Sequence, residues 1–422
     1  MYDKVLIRYG DLMLKGKNRK IFINKVNDLI KQNINDLDLK MIKRHDRVFL
    51  EINNTSPSVI EERLLRVTGI HSFSFVKETN KDLDNIIKTS VDLINEEIKD
   101  LESFKLNVKR ADKRYPLTSP ELTKELATKI LTKIDVKVIV DVHHPKHILT
   151  VEIREEGAYL FLKTIYGLGG FPTGSGGKAG LLLSGGIDSP VAGFLTMKQG
   201  VLVEGLHFES TPLTPIESLQ KIVDIGKKLA IYSPGHRFRV VMIPFAKLHQ
   251  EILKNVSEPY IITIMRRMMF RIAEELSYQR GLKAIVTGES IGQVASQTLE
   301  SLETIENVTN IPILRPLITY DKKEIIKLAE KLETMEISIK PFMDCCTIYV
   351  PKNPATKPTI KSSLYEERKL GNYQDLIKEI VQKSTVITIT PETNINLAMY
   401  GFSSEEIWEA LKDDKLISQS RN

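Results

Sequence analysis

The stretch KAGLLLSGGIDSPVAGFLTMK, residues 178–198, decides how the rest of the chain is read. Leu181, Leu182 and Leu183 form an apolar run suited to a strand buried on both faces, and residues 190–199 have the composition of a helix. Between them Ser184, Gly185, Gly186, Ile187, Asp188 and Ser189 make a tight turn. Adjacent glycines let successive backbone amides approach an anion, and the two serines add hydroxyl donors. Pro190 suits a first helical position, where an amide is dispensable. Such a turn fits a triphosphate or pyrophosphate. Asp188 would repel a bare phosphate, so its expected work is to reach Mg2+ or to hold the shape of the loop. The lysine-bearing phosphate loop with four intervening residues is absent, and taken alone this stretch is also compatible with an ordinary glycine-containing strand-to-helix turn.

Downstream, strands at 201–207, 239–243 and 283–287 alternate with helices at 190–199, 216–229, about 260–280 and 322–333, which predicts a parallel sheet covered on both faces. Upstream, GLGGFPTGSGG at 167–177 has six glycines in eleven residues, a composition for a linker or a second phosphate-facing loop. Before it, strands at 4–9, 48–52, 72–76, 104–109, 136–140, 148–153 and 158–164 mix with helices at 19–30, 58–65, 82–97 and 119–131. The expected fold is multidomain, α+β in its first part and α/β in its second. The boundaries are 1–75, 76–168 and 169–382, with 383–422 a C-terminal tail carrying the strand-like TVITIT and a short helix near 407–411.

The 422 residues are 42% apolar and 27% charged, which excludes collagen-like, mucin-like and wholly disordered chains. The two cysteines, Cys345 and Cys346, are adjacent and cannot staple a fold, so a reducing compartment and a chemical role are expected. No apolar run is long enough for a membrane span or a leader, and the reading is a soluble, cytoplasmic protein that does not enter a membrane. The pair of thiols cannot supply a zinc site, and HHPKH at 143–147 reads as a polar turn, so no metal ligand cluster is expected. By position, His207 and Phe208 end a strand of the parallel sheet, and Gly288, Glu289 and Ser290 follow another and lead into GQVASQT. Of Arg266 and Arg267, one at most can face the ligand edge while the other meets solvent or a carboxylate.

Taken together, YGDLMLKGKNR at 9–19, VKRADKRYPLTS at 108–119, GGFPTGSGGKAGLLLSGGIDSPVAG at 169–193, TGESIGQVASQT at 287–298 and DCCTIYVPKNPATKP at 344–358 resemble the tRNA 4-thiouridine synthetase family, also described as thiamine biosynthesis sulfurtransferase. The resemblance spans about residues 1–380. It implies a ferredoxin-like N-terminal domain, then a THUMP domain, the two holding tRNA, and an ATP pyrophosphatase domain that uses ATP and Mg2+. The family's ATP contacts carry over onto Leu182, Leu183, His207, Phe208, Arg266, Gly288 and Gln297, beside the loop Ser184, Gly185, Gly186, Asp188 and Ser189. Alignment through Ile348 favours Cys345 as the persulfide carrier, with Cys346 one residue away as the alternative.

The implied reaction is adenylation of O4 of uridine 8 in tRNA followed by persulfide sulfur transfer. A cysteine desulfurase is the implied donor, because the region past the core has no cysteine and resembles the form without a rhodanese domain. The thiamine sulfur carrier protein is a second acceptor open to the same chemistry, and a homodimer is left open. The alternative is another ATP-activating thiolase or amidating ligase acting on RNA. A generic amidating ligase has no need of the N-terminal modules, a methyltransferase needs a different glycine loop, and an RNA chaperone leaves SGGIDS and the cysteines without work.

The net charge is +6, and the surplus is local: residues 1–60 carry twelve Lys and Arg against seven Asp and Glu, whereas 61–170 balance at eighteen each. If that surplus meets phosphate, residues 1–170 bind tRNA with a log–log salt slope approaching about −0.9 per duplex-like phosphate neutralised. Filter binding across a salt series checks this, and a flat series refutes it.

Overall fold

The glycine-rich stretch is where the chain divides: one compact unit ends at Gly170 and the next begins at Phe171. The structure, a computed structural model, describes residues 2–342, 344, 348, 351–395 and 397. Just past the division, the amides of Gly174 and Gly176 both donate to the Gly200 carbonyl at 2.8 Å, and Leu202 N donates to Gly177 O. These bonds lie where the strands Lys178–Leu182 and Leu202–Glu209 begin, at the opposite end of the sheet from the 184–189 turn. Of the two uses expected of this stretch, linker and second phosphate loop, the structure supports the linker.

The first unit holds a mixed sheet of nine strands among the described residues. Eight run in the order Leu39–Lys43, Arg47–Ile52, Lys4–Arg8, Ser72–Thr79, Ala158–Phe161, His147–Ile153, Ser103–Arg110 and Ile139–Val140, and Ile165–Tyr166 adds a second pairing to Ser72–Thr79. Strand Ser72–Thr79 pairs antiparallel with Lys4–Arg8 on one side and with Ala158–Phe161 on the other, so the two N-terminal modules share one sheet. On one face, helices Leu83–Glu97 and Ser119–Leu131 bury Ile86, Leu93, Leu122 and Leu126 against Phe104, Leu149 and Val151. A smaller cluster of Leu6, Phe49, Val76, Tyr159 and Phe161 joins the modules, with the Phe49 and Tyr159 rings 4.7 Å apart.

Beside this cluster Glu152, its side chain only 3% exposed, receives Arg154 at 2.7 Å, Arg47 at 3.3 Å and Arg8 at 3.9 Å, and Arg154 also forks onto Asp46. Three arginines around one buried carboxylate tie strands of different modules together. The strand expected at 136–140 shrinks to Ile139–Val140, and Leu39–Lys43 is an extra edge strand whose two exposed lysines, Lys40 and Lys43, hid it.

The second unit is a six-stranded sheet among the described residues, in the order Ile313–Leu314, Ala284–Val286, Lys178–Leu182, Leu202–Glu209, Phe238–Pro244 and Thr385–Ile389. The first five are parallel, as the alternating strands and helices predict, and the last is antiparallel. TVITI of the expected tail thus forms the edge strand of this sheet, while the helix expected near 407–411 lies outside the described residues. Helix Ile261–Arg280 is the longest described and buries Ile264, Met268, Phe270 and Ile272 against the sheet's apolar cluster.

Arg267 sits inside that helix with its side chain 1% exposed, donating from Nε to Glu367 Oε1 at 2.8 Å and from Nη1 to the Thr304 carbonyl. It clasps helices Leu299–Glu306 and Ile360–Arg368 to the core, which meets the expectation that one of the two arginines faces a carboxylate. Arg267→Met leaves the buried Glu367 with only Arg271, at 3.2 Å, and is expected to destabilise the second unit by about 3–5 kcal/mol. Adding Glu367→Leu should recover part of that loss. Urea or calorimetric unfolding of the three proteins checks this, and a double variant less stable than the single one refutes the ion-pair account.

Candidate active site

In a parallel sheet the carboxyl ends of the strands share one edge, where loops can surround a ligand. Leu182 pairs with Leu206 and Leu181 with Val286, so the turn after Leu183, the end of the strand at His207–Glu209, and Thr287–Ser290 all emerge side by side. Leu182 closes its strand, and buried Leu183 continues the pairing, its amide donating to Leu206 O at 3.0 Å and its carbonyl accepting from His207 Nδ1 at 3.0 Å. That bond leaves Nε2 of a neutral His207 as an acceptor, and burial holds the imidazole below its ordinary pKa.

The turn closes on itself. Ser189 Oγ donates to Ser184 O at 3.0 Å, Ser184 N donates to Ser189 Oγ at 3.0 Å, and Gly186 N donates to Ser184 Oγ at 3.3 Å. The serine hydroxyls therefore shape the loop. The close approaches explain the glycines beside it: a Cβ on Gly288 would lie 2.8 Å from the Asp188 carbonyl carbon and the Ser189 amide. One on Gly185 would lie 2.9 Å from Lys221 Cε and 3.2 Å from Asp344 Oδ1.

Asp188 starts helix Asp188–Lys198 and is bridged by Lys322 Nζ on Oδ1 at 2.6 Å and by Gln293 Nε2 on Oδ2 at 3.4 Å. Lys322 opens the helix Lys322–Lys331, which is capped by Asp321 and Glu324 in a reciprocal capping box. That box, DKKE, is visible in the sequence and is the one signal that could have located the lysine.

Arg266 ion-pairs with buried Glu289, which also accepts from Arg315 Nε at 2.8 Å and from Thr287 Oγ1 at 2.7 Å. Burial alone would raise the Glu289 carboxyl, but Arg266 and Arg315 hold it below the usual carboxylate range. Gln297 ends the turn Ala295–Gln297 and closes the 290–297 loop, its side-chain oxygen accepting from Ser290 N at 3.4 Å and its carbonyl from Gly292 N at 3.0 Å. Phe208 is different. Its ring is buried in the apolar cluster, edge-on to Phe245 at 5.3 Å, because alternate residues of a strand point to opposite faces. Only its backbone is left to serve the ligand edge.

Cys345 and Cys346 lie outside the described residues, but Asp344 does not. The Gly185 amide donates to its carboxylate, and burial pushes that carboxyl up, opposed by His207 and Lys221. Neither Asp344 nor Lys221 was a candidate on sequence grounds. Together the edge offers loop amides, Lys322 on Asp188, Arg266 on Glu289, and a segment that precedes the two cysteines in sequence. Among the described residues no cluster of three metal-ligating side chains occurs, and no helix is long and apolar enough to cross a membrane.

Residues 174–371 match the family described as thiamine biosynthesis protein (ThiI), 4–74 the ThiI ferredoxin-like domain and 80–163 the THUMP domain. A protein of Acholeplasma laidlawii (strain PG-8A), named "probable tRNA sulfurtransferase", is 46% identical over 96% of this chain and 98% of its own length. A protein of Oceanobacillus iheyensis with the same name is 42% identical over 94% of this chain and 98% of its own. A crystal structure of a 4-thiouridine synthetase–RNA complex with bound ATP is 37% identical, covers 92% of this chain and 100% of that one, and superposes with a TM-score of 0.83. With the ferredoxin-like, THUMP and nucleotide-loop parts in one chain, and identities of this size over nearly all of it, the chain belongs to the ThiI family of tRNA sulfurtransferases.

Proposed function

We propose that the chain is an ATP-dependent tRNA sulfurtransferase that converts uridine 8 of tRNA to 4-thiouridine, the 184–189 loop activating the base and Cys345 carrying the sulfur. One observation carries this reading: Asp344, the residue before Cys345, packs against Gly185 of the loop, so the segment bearing the thiols begins at the nucleotide edge. The names of the relatives, and the ATP and RNA bound to the 4-thiouridine synthetase, support it.

A uridine carbonyl oxygen is a poor leaving group until it is adenylated. In the first step O4 attacks the α-phosphorus of ATP, pyrophosphate leaves, and C4 bears an O–AMP group. The loop amides and Lys322 hold phosphate oxygens, and Arg266 is kept in place for the same task by Glu289. The residues also fit a magnesium ion, which commonly takes one or two carboxylates besides phosphate oxygens and water; Asp188 is the carboxylate available, and the ion would neutralise phosphate charge. In the second step the terminal sulfur of a Cys345 persulfide attacks C4 and the C4–O bond breaks, releasing AMP. An external thiol then cleaves the sulfur–sulfur bond, leaving 4-thiouridine and a mixed disulfide with Cys345 that a second external thiol reduces. The target base has to leave its stack to reach such an edge. A cysteine desulfurase loads Cys345, and the thiamine sulfur carrier protein, offering a carboxylate to the same adenylation, is a second acceptor.

Nucleoside mass spectrometry of tRNA incubated with the protein, ATP, magnesium, cysteine and a desulfurase should show 4-thiouridine at position 8, and its absence rejects the reading. Asp188→Ala should lower tRNA-dependent AMP release by about 10²-fold or more while tRNA affinity stays within a few-fold. Unchanged AMP release removes Asp188 from the phosphate site. Cys345→Ser should abolish 4-thiouridine while tRNA still binds, and Cys346→Ser should keep measurable transfer. The opposite pattern exchanges the two assignments, and mass spectrometry after desulfurase treatment should find the added sulfur atom on Cys345.

A further inference from the structure

Helix Ile216–Ala230 is amphipathic, yet it buries a lysine: Lys221 is 4% exposed. A buried ammonium has three protons to place and pays a heavy desolvation cost if any lacks an acceptor. Lys221 Nζ donates to three main-chain carbonyls of one segment: Ser338 at 3.0 Å, Lys340 at 3.2 Å and Phe342 at 3.2 Å. Alternate residues turn their carbonyls to a single point, so residues 338–342 curl around the ammonium. The same segment is bonded to the nucleotide loop, Ser338 Oγ donating to Gly186 O at 3.2 Å. The stem of Lys221 lies against that loop too, at Gly185.

The chain beyond the cysteines is anchored separately. Lys352 N donates to Glu258 Oε1 at 3.0 Å, Ala355 N to Pro259 O at 3.0 Å, and Thr298 Oγ1 to Thr356 O at 2.7 Å. The described residues on either side of Cys345 and Cys346 are therefore each tied to the core, and Lys221 holds the side that meets the 184–189 loop.

We infer that Lys221 is a positioning residue for sulfur transfer: it sets the curl of residues 338–342 against the nucleotide loop, and with it the point from which the chain enters the cysteine pair. The inference rests on the proposed roles of the loop and of Cys345. An ammonium is the group suited to this work, because three donors spread around one atom match three converging carbonyls, whereas the planar fork of arginine does not. A lysine that only caps the short helix Met335–Ser338 would engage the last carbonyls of that helix, but two of the three acceptors here lie beyond its end.

The quantity that separates positioning from plain stability is the number of 4-thiouridines formed per AMP released, measured with tRNA, ATP, magnesium, cysteine and a desulfurase. Loss of folded protein lowers both products together and leaves the ratio alone. A misplaced persulfide lets water attack C4 of the adenylated base instead, releasing AMP and regenerating uridine. Displacements of roughly 1 Å can cost about 10²-fold, so Lys221→Met should lower the ratio by about tenfold or more, and Lys221→Gln, which keeps two donors on a shorter stem, by less. An unchanged ratio in Lys221→Met overturns the inference. Should that variant not fold, an unchanged ratio in Lys221→Gln overturns it equally. Absence of 4-thiouridine from the unaltered protein rejects the proposed function, and this inference with it.

Discussion

The nearness of Asp344 to Gly185 is the constraint around which the second unit is arranged. Only a residue without a side chain lets a carboxylate and a lysine stem press against the nucleotide loop at this depth, since a Cβ would come within 3 Å of Lys221 Cε. The loop can be there because the first parallel strand ends at Leu182, level with Leu206 of its neighbour, and the segment from residue 338 can be there because Lys221 gathers its carbonyls. In the proposed reaction, activation of a base and delivery of a sulfur atom are different steps, and joining them requires that neither the 184–189 loop nor the 338–342 segment drift.

Charge is the means by which much of this is held. Glu289 between Arg266 and Arg315, Glu367 between Arg267 and Arg271, and Glu152 among three arginines are all carboxylates that burial alone would disfavour. Each becomes tolerable by joining elements far apart in sequence. The cost in desolvation is exchanged for direction, because a guanidinium fork satisfied on two sides has little freedom to rotate. Apolar packing supplies the bulk of the cohesion, and these pairs fix angles within it.

The fold was legible to the extent that periodicity reports burial. The three-leucine run, the helix at 261–280 and the parallel alternation all follow from residues buried on regular faces. Leu39–Lys43 was missed because a short edge strand with two lysines in five residues looks like a solvated loop, and helices Ala246–Asn255 and Tyr373–Lys383 because short amphipathic turns between polar stretches carry a weak signal. In the site, glycines and serines announced the loop because an anion needs those residue types adjacent in sequence. Nothing announced Lys221, which reads as one more surface lysine of a helix rich in them. Its role depends on carbonyls of residues more than a hundred positions away, and main-chain acceptors leave no trace in side-chain identity.

The edge strand Thr385–Ile389 has a bearing on how the protein comes into being. It pairs antiparallel with Phe238–Pro244, Phe238 lying opposite Ile389, so the sheet that carries the nucleotide loop is finished by a segment synthesised more than a hundred residues after its partner strand. A chain emerging from the ribosome holds strand 238–244 with an open row of amides and carbonyls until that segment arrives. Such an open row is a template for pairing with another chain, and long-range closure of this kind is slow to form. A chain released before residue 385 would therefore carry an open sheet edge prone to pairing with other chains, which makes arrival of that late segment the step that closes the sheet.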